Sequence, residues 1–313
     1  VFGDLMIDQY TYCKPRKINS ECPNIVFGSK NEEIKLGGAA NVCNNLTSLD
    51  VNVFVLSTLG KDSTGEKLIE LLQEKNNNTD YLIKDDKPTI VKHRYVSNNS
   101  QVFRVDTEDT NPINQETQDL LFENFKKIVD NYSIDAILIS DYEKGVVVED
   151  LTKKIINLAY FEYNIPVFVD PKINNFTKYQ NTTVLKPNRN EFNQLCKYYN
   201  ISNELNLANF KNLATNLNLE YLLTTLDKDG MILYEKKKDT LTHYPIKNME
   251  NKVVDVTGAG DTVLSSLVYF YLDNKNIDSA IKKANIIGSY SVTISGCFVL
   301  SKNFLQQAFN QNR

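Results

Sequence analysis

A chain of 313 residues with 42% hydrophobic and 24% charged residues has the composition of an ordinary globular protein, long enough for one large domain with an attached small element or for two domains. Its net charge of −4 supplies no bulk pull toward nucleic acid or an anionic membrane, so an anionic ligand has to be held by a local arrangement. Two histidines, His93 and His243, argue against a histidine-rich zinc centre or a histidine-based triad, and no apolar run approaches the roughly 20 residues that cross a bilayer.

In chain order, "VFGDLMID" reads as the end of a strand with its exit loop, and no signal peptide is visible. "NIVFGSKNEEIKLGG" (24–38) and "TIVKHRYVSNNSQVFRVDTE" (89–108) show strand alternation with turn signals. They predict a small antiparallel sheet, formed by approximately 10–36 and 89–108, set apart from the main domain. Such a sheet is a natural lid, and its edges, which need cover, predict a homodimer. "AILIS" (136–140), "VFVD" (167–170), "TVLKPN" (183–188) and "YLLTTLD" (221–227) are short apolar runs suited to buried parallel strands. Between them lie helical patterns such as "VEDLTKKIINLAYFEY" and "NEFNQLCKYYN", and the alternation predicts an α/β sheet with helices on both faces. "TVLSSLVYFYLDN" and "IDSAIKKANIIGSYSVTIS" read as two long buried helices. The five cysteines, Cys13, Cys22, Cys43, Cys196 and Cys297, are scattered without a C-x-x-C pair, the usage of reduced thiols in a cytoplasmic protein.

The chain has only 12 glycines, so their placement carries information. In "DVTGAGD" a glycine-rich turn opens a helix, which directs backbone N–H groups toward an anion; the alternative is a tight turn in which Asp261 merely starts the helix. No Gly-Lys-Ser/Thr follows, so this is not a Walker A loop, and Val263 rules out G-x-G-x-x-G. Asp255 either serves a metal–phosphate region or caps the turn. In "LGGAANVCNNL" Gly38 allows close backbone approach, and Asn41 either bonds sugar hydroxyls or makes a local helix-start contact. Asp8 is either a hydroxyl acceptor or a solvated loop residue. Asp141, Asp170, Lys172, Asn188, Glu191 and Thr225 follow the ends of predicted strands, the edge where open α/β sheets bind ligands.

In this order the motifs resemble the PfkB or ribokinase-like carbohydrate kinases along nearly the whole chain. "GDLMIDQY", "GGAANVCNNL", "FRVDTE", "SDYEKG", "DPK" and "DVTGAGDT" are closer still to the kinases of ADP-heptose synthesis, which phosphorylate O1 of D-glycero-D-manno-heptose 7-phosphate. The resemblance implies one kinase domain over 1–313, a lone kinase or the kinase half of a fused protein, that uses ATP and Mg²⁺ on a small-molecule sugar phosphate. It implies Asp261 as the base, with Gly258, Ala259 and Gly260 stabilising the transferring phosphoryl group. Asp8, Gly38, Asn41, Arg104, Asp141 and Lys172, with Arg94 behind them, would bind the sugar phosphate. Asn188, Glu191, Thr225, Gly230, Asp255 and Asn285 would border the nucleotide, with Glu191 reaching the metal through water. "SGCFVL" (295–300) departs from the family's small-residue stretch, which leaves a monovalent cation open. Other readings are a ribokinase-like kinase of another sugar or a nucleoside, or a non-catalytic sugar- or nucleotide-binding regulator.

Overall fold

The short apolar runs become the buried centre of a parallel sheet, seen in a computed structural model that describes residues 1–98, 100–246, 253–294 and 298–310. The strands are β1 (Phe2–Gly3), β2 (Leu5–Ile18), β3 (Ile25–Gly38), β4 (Thr58–Gly60), β5 (Ile83–Asp85), β6 (Val91–Ser97) and β7 (Ser100–Thr107). They continue as β8 (Ile137–Ser140), β9 (Val167–Asp170), β10 (Val184–Leu185), β11 (Tyr221–Thr225), β12 (Met231–Glu235) and β13 (Thr240–Tyr244). The main sheet has the order β1-β8-β9-β10-β11-β12-β13; the first five strands are parallel and the last two antiparallel. β4 and β5 form a separate parallel pair.

Period-two alternation divides the main sheet's side chains between two cores. Ile137, Ile139, Val167, Val169, Leu185 and Leu222 pack with the helices Gln115–Asn131, Glu149–Asn157, Arg189–Tyr198 and Leu207–Asn216. Leu138, Phe168, Val184 and Leu223 pack on the other side with the helices Ala39–Thr47, Ala259–Asn274 and Ile277–Ser291. Both faces are dry, which is why these strands read as unbroken apolar runs. No described helix is long and apolar enough to cross a membrane.

The second sheet has the order β3-β2-β6-β7. Its outer pairings, β2–β3 and β6–β7, are antiparallel as the sequence predicts, while the seam between β2 and β6 is parallel. A parallel seam needs a long crossover, and the chain supplies one through the helices Ala39–Thr47 and Ser63–Glu74 before β6. β2 starts two residues after β1 ends, so this sheet springs from the carboxyl edge of the main sheet. By register, Asp8, Tyr10, Lys92, Arg94 and Arg104 share one face, and Gln9, Ile34, His93, Tyr95, Phe103 and Val105 share the other.

Candidate active site

A cavity of about 450 Å³ opens at the carboxyl ends of β8 to β11, where open α/β sheets bind ligands. Each strand delivers polar residues to it: Asp141 and Tyr142 after β8, Asp170 and Lys172 at β9, Lys186, Asn188 and Glu191 after β10, and Thr225 at β11. The helices Ala259–Asn274 and Ile277–Ser291 close it with Gly258, Ala259, Gly260 and Asn285. A larger hollow of about 830 Å³ lies at the opposite ends of β1 and β8, beside Val1, Phe54 and Ala136, and holds none of the predicted site residues.

The helix Ala259–Asn274 begins at Gly258, whose φ of 74° is left-handed and suits glycine. The first-turn N–H groups at Gly260 and Asp261 are among those a helix leaves without intrahelical partners. A side chain at Gly260 would have its Cβ 3.3 Å from Asp170 Oδ2 and 3.9 Å from Lys186 Nζ, so this turn passes close to an ion pair whose nitrogen and oxygen are 3.0 Å apart. Asp261 is only 2% exposed. Its Oδ2 accepts from Asn41 Nδ2 at 2.9 Å and its Oδ1 from the Tyr142 hydroxyl at 2.7 Å. Burial pushes its pKa up to about 6; the two hydrogen bonds and Lys186 oppose the rise, and the Asp170 charge adds to it. A buried carboxylate that ionises near pH 6 has the properties of a general base at neutral pH.

On the other wall, Asn188 and Glu191 form a capping box at the start of the helix Arg189–Tyr198: Glu191 N–H donates to Asn188 Oδ1 at 2.9 Å, and Asn188 N–H to Glu191 Oε2 at 2.8 Å. The second Glu191 oxygen takes Lys172 Nζ at 2.6 Å. Asn285 donates to the Tyr244 and Pro245 carbonyls, which fixes the chain segment beside Gly230. Asp255 accepts from Thr257 N–H at 2.9 Å, so its carboxylate caps the turn.

The sugar-side candidates gather where the second sheet meets the first. Asp8 is buried and ion-paired with Arg94. It also abuts Gly37, where an added Cβ would lie 2.4 Å from Asp8 Oδ2. The next residue, Gly38, starts the helix that carries Asn41. Lys92 stands beside them, half-buried; desolvation lowers its pKa, and Lys144, Arg104 and Arg94 push the same way against Asp8. Among the described residues Lys92 forms no ion pair. Arg104 is on the same face but one strand further out, 44% exposed at its side chain and held by Asp106 at 2.8 Å. Arg94 is therefore the arginine beside Asp8, and Arg104, which the resemblance puts ahead of it for the substrate's phosphate, stands further out on the same face. The Asp141 carboxylate lies at the cavity wall, where its Oδ2 meets Lys178 at 2.5 Å and the Tyr179 hydroxyl at 2.6 Å and its Oδ1 accepts from Glu143 N–H at 2.7 Å.

The pfkB family carbohydrate kinase pattern matches residues 1–302. The chain belongs to this family. As a pfkB family member it is an ATP-dependent sugar kinase, and the cavity, the glycine turn and the buried Asp261 lie where the strand edge positions them. Among relatives, the bifunctional protein HldE of a Nitratiruptor species is 38% identical over 91% of this chain and 59% of its own length. The bifunctional protein HldE of Helicobacter pylori is 33% identical over 99% of this chain and 66% of its own. The chain thus spans about three-fifths of the first of these relatives. Phosphofructokinase-2 of Escherichia coli, solved with substrates and products, shares the fold with a TM-score of 0.79 at 18% identity over 100% of this chain and 98% of its own. Arabidopsis thaliana ribokinase, solved with ribose and ATP, superposes with a TM-score of 0.71 at 16% identity, covering 98% of this chain and 96% of its own.

Three residues at this pfkB site escape the sequence reading: Tyr142, Lys92 and Lys186. Tyr142 and Lys186 sit inside "SDYEKG" and "TVLKPN", Tyr142 directly after Asp141 and Lys186 two residues before Asn188. Lys92 has a signal only in retrospect, since it is the residue two before Arg94 on an alternating strand and so shares its face.

Proposed function

We propose that this chain transfers the γ-phosphoryl group of ATP to O1 of D-glycero-D-manno-heptose 7-phosphate, giving the 1,7-bisphosphate. The observation that carries the reading is the position of Asp261. Tyr142 ties it to the cavity wall and to Lys92, and Asn41 ties it to the helix that starts after Gly37 and Gly38, beside Asp8. One carboxylate is then within reach of a sugar hydroxyl on one side and a phosphoryl group on the other. Asp261 takes the proton of the attacking hydroxyl, and the N–H groups of the glycine turn stabilise the charge that develops on the transferring group. Asp8 accepts from sugar hydroxyls, while Lys92 and Arg94, with Arg104 at the rim, meet the substrate's own phosphate. A half-buried lysine crowded by other cations is a site built for an anion.

Magnesium fits the cavity through its water shell. Among the described residues no group of three acidic or other ligating side chains is clustered to hold an ion. Both Glu191 oxygens have partners in the protein. Mg²⁺ keeps several waters and takes one or two carboxylates besides the nucleotide phosphates, so Asp170 and Glu191 would hold it at second hand. When bound, it neutralises charge on the phosphates. Residues 295–297 of the stretch considered for a monovalent cation lie outside the described residues.

The second sheet would act as the lid over the sugar and exclude water. Its outer face bears Ile34, Phe103 and Val105, exposed by 41%, 46% and 51%. A homodimer would cover this face, and the free thiols Cys13, Cys22, Cys43 and Cys196 suit a reducing cytoplasm. Phe103→Asp with Val105→Asp is expected to convert a dimer to a monomer in sedimentation-velocity runs; a wild-type protein that sediments as a monomer at micromolar concentration contradicts the pairing. The kinase reaction itself is tested by offering labelled ATP with a panel of sugars and sugar phosphates.

A further inference from the structure

Tyr142 carries more connections at this site than a loop residue needs. Its backbone N–H donates to buried Asp4 at 2.8 Å, which pins the loop that follows β8; Lys144 and Val146 N–H groups donate to the same carboxylate. Its hydroxyl donates to Asp261 Oδ1 at 2.7 Å. Its ring receives two ammonium groups, Lys92 Nζ 5.4 Å and Lys172 Nζ 5.7 Å from the centroid. Lys92 belongs to the second sheet, and Lys172 follows β9 and is paired with Glu191 on the nucleotide wall. Tyr142 is therefore the one described side chain that touches the base, a cation of the second sheet and a cation of the nucleotide wall.

We infer that Tyr142 is a positioning residue for phosphoryl transfer: its hydroxyl aims and keeps ionised the Asp261 carboxylate, and its ring sets the two lysines on either side of the reaction. The inference rests on the kinase reading of Asp261. The groups that face Asp261 are Asn41 from the Ala39–Thr47 helix, Tyr142 from the loop after β8, Asp170 from β9 and Lys186 from the segment after β10. Asn41 and Tyr142 are its hydrogen-bond donors, and donors to a carboxylate favour the charged form that burial disfavours. Asn41 holds Oδ2, and among the described residues Tyr142 is the hydrogen-bond donor to Oδ1, so the two bonds together fix the plane of the carboxylate. An oxygen that already accepts one hydrogen bond keeps a second lone pair for the sugar hydroxyl. The phenol thus directs that lone pair without consuming it.

Tyr142→Phe removes the hydroxyl and keeps the ring with its two lysines. It is expected to remain folded, lose roughly 10- to 100-fold in kcat, leave the KM for ATP unchanged and move the acid limb of the rate profile to higher pH. Tyr142→Leu removes the ring as well and is expected to raise the KM for the sugar phosphate in addition. The Asp261 carboxyl signal, assigned by its loss in Asp261→Asn and titrated by carbon-13 NMR in the unliganded protein, gives a readout that needs no turnover. It is expected to titrate at higher pH in Tyr142→Phe. Should that variant not fold, a fluorotyrosine at 142, a stronger donor of nearly the same shape, is expected to move the titration to lower pH. An Asp261 titration unchanged by either substitution overturns the role of Tyr142, whatever the substrate. Absence of transfer to every sugar and sugar phosphate by the wild type overturns the kinase reading instead, and the titration still decides the Tyr142–Asp261 link.

Discussion

Asp261→Asn is expected to lower phosphoryl transfer by roughly 10²–10⁴-fold while ATP and the sugar phosphate still bind. The amide matches the carboxyl in shape and still accepts from Asn41 through its oxygen, so the pocket persists while the proton acceptor is gone. The same substitution is expected to stabilise the protein at neutral pH. The Asp261 pKa in the folded chain lies near 6, above the 3.8 of a free aspartate. Folding therefore favours the protonated form. The cost of carrying the charge is absent below about pH 4, grows as pH rises toward 6 and is complete above that, at up to about 3 kcal/mol. Thermal unfolding should show Asp261→Asn melting above the wild type at pH 7.5 and level with it at pH 4. In the wild type, kcat/KM should fall as pH drops through about 6, because the base must be ionised to work. Asn at 261 with wild-type turnover is the result that sinks this assignment. A gain in stability joined to a loss of activity is the trade expected where function requires a strained charge.

Lys92→Met is expected to raise the KM for the sugar phosphate about 10- to 100-fold and leave the KM for ATP near its wild-type value. The methionine keeps the length of the side chain and its packing, and removes the ammonium group. Burial and the neighbouring Lys144, Arg104 and Arg94 charges disfavour the Lys92 charge in the empty protein, whereas Asp8 and the Tyr142 ring favour it. The substitution should therefore be neutral or stabilising toward urea, with the midpoint unchanged or raised and the slope constant. Arg94→Ala is a poorer test, since it would strand the buried Asp8 carboxylate without its partner and confuse a folding defect with a binding defect. If Lys92→Met left the sugar-phosphate KM untouched, the substrate's phosphate would have to sit elsewhere.

Much of this architecture is legible in the sequence because the physics behind it is local. β8 and β9 read as strands since both faces are buried, and "DVTGAGD" reads as a helix start since glycine at 258 permits the left-handed turn that Gly258 adopts. The β12–β13 hairpin is harder to see: "MILYE" is a short apolar run, which periodicity alone does not separate from a helix. Asn188 and Glu191 are found by their spacing, which is also that of a capping box, and the box they form lies on the cavity wall. Arg94 and Arg104 cannot be ranked from sequence. They are register partners on one face, and only the order of strands puts Arg94 inside beside Asp8 and Arg104 at the edge with Asp106. Tyr142 is invisible for a related reason. Its hydroxyl meets a carboxylate 119 positions away, a contact that local pattern does not encode.

In the proposed reaction Asp261 activates O1 of a heptose already phosphorylated at position 7. Phosphorus-31 NMR of the wild type mixed with ATP, Mg²⁺ and D-glycero-D-manno-heptose 7-phosphate tests it most directly, with ribose and fructose 6-phosphate run in parallel and Asp261→Asn as the control. A new phosphate resonance coupled to the anomeric proton, formed by the wild type and not by the variant, is the predicted result. Steady phosphorylation of ribose or fructose 6-phosphate with no reaction at the heptose would contradict it.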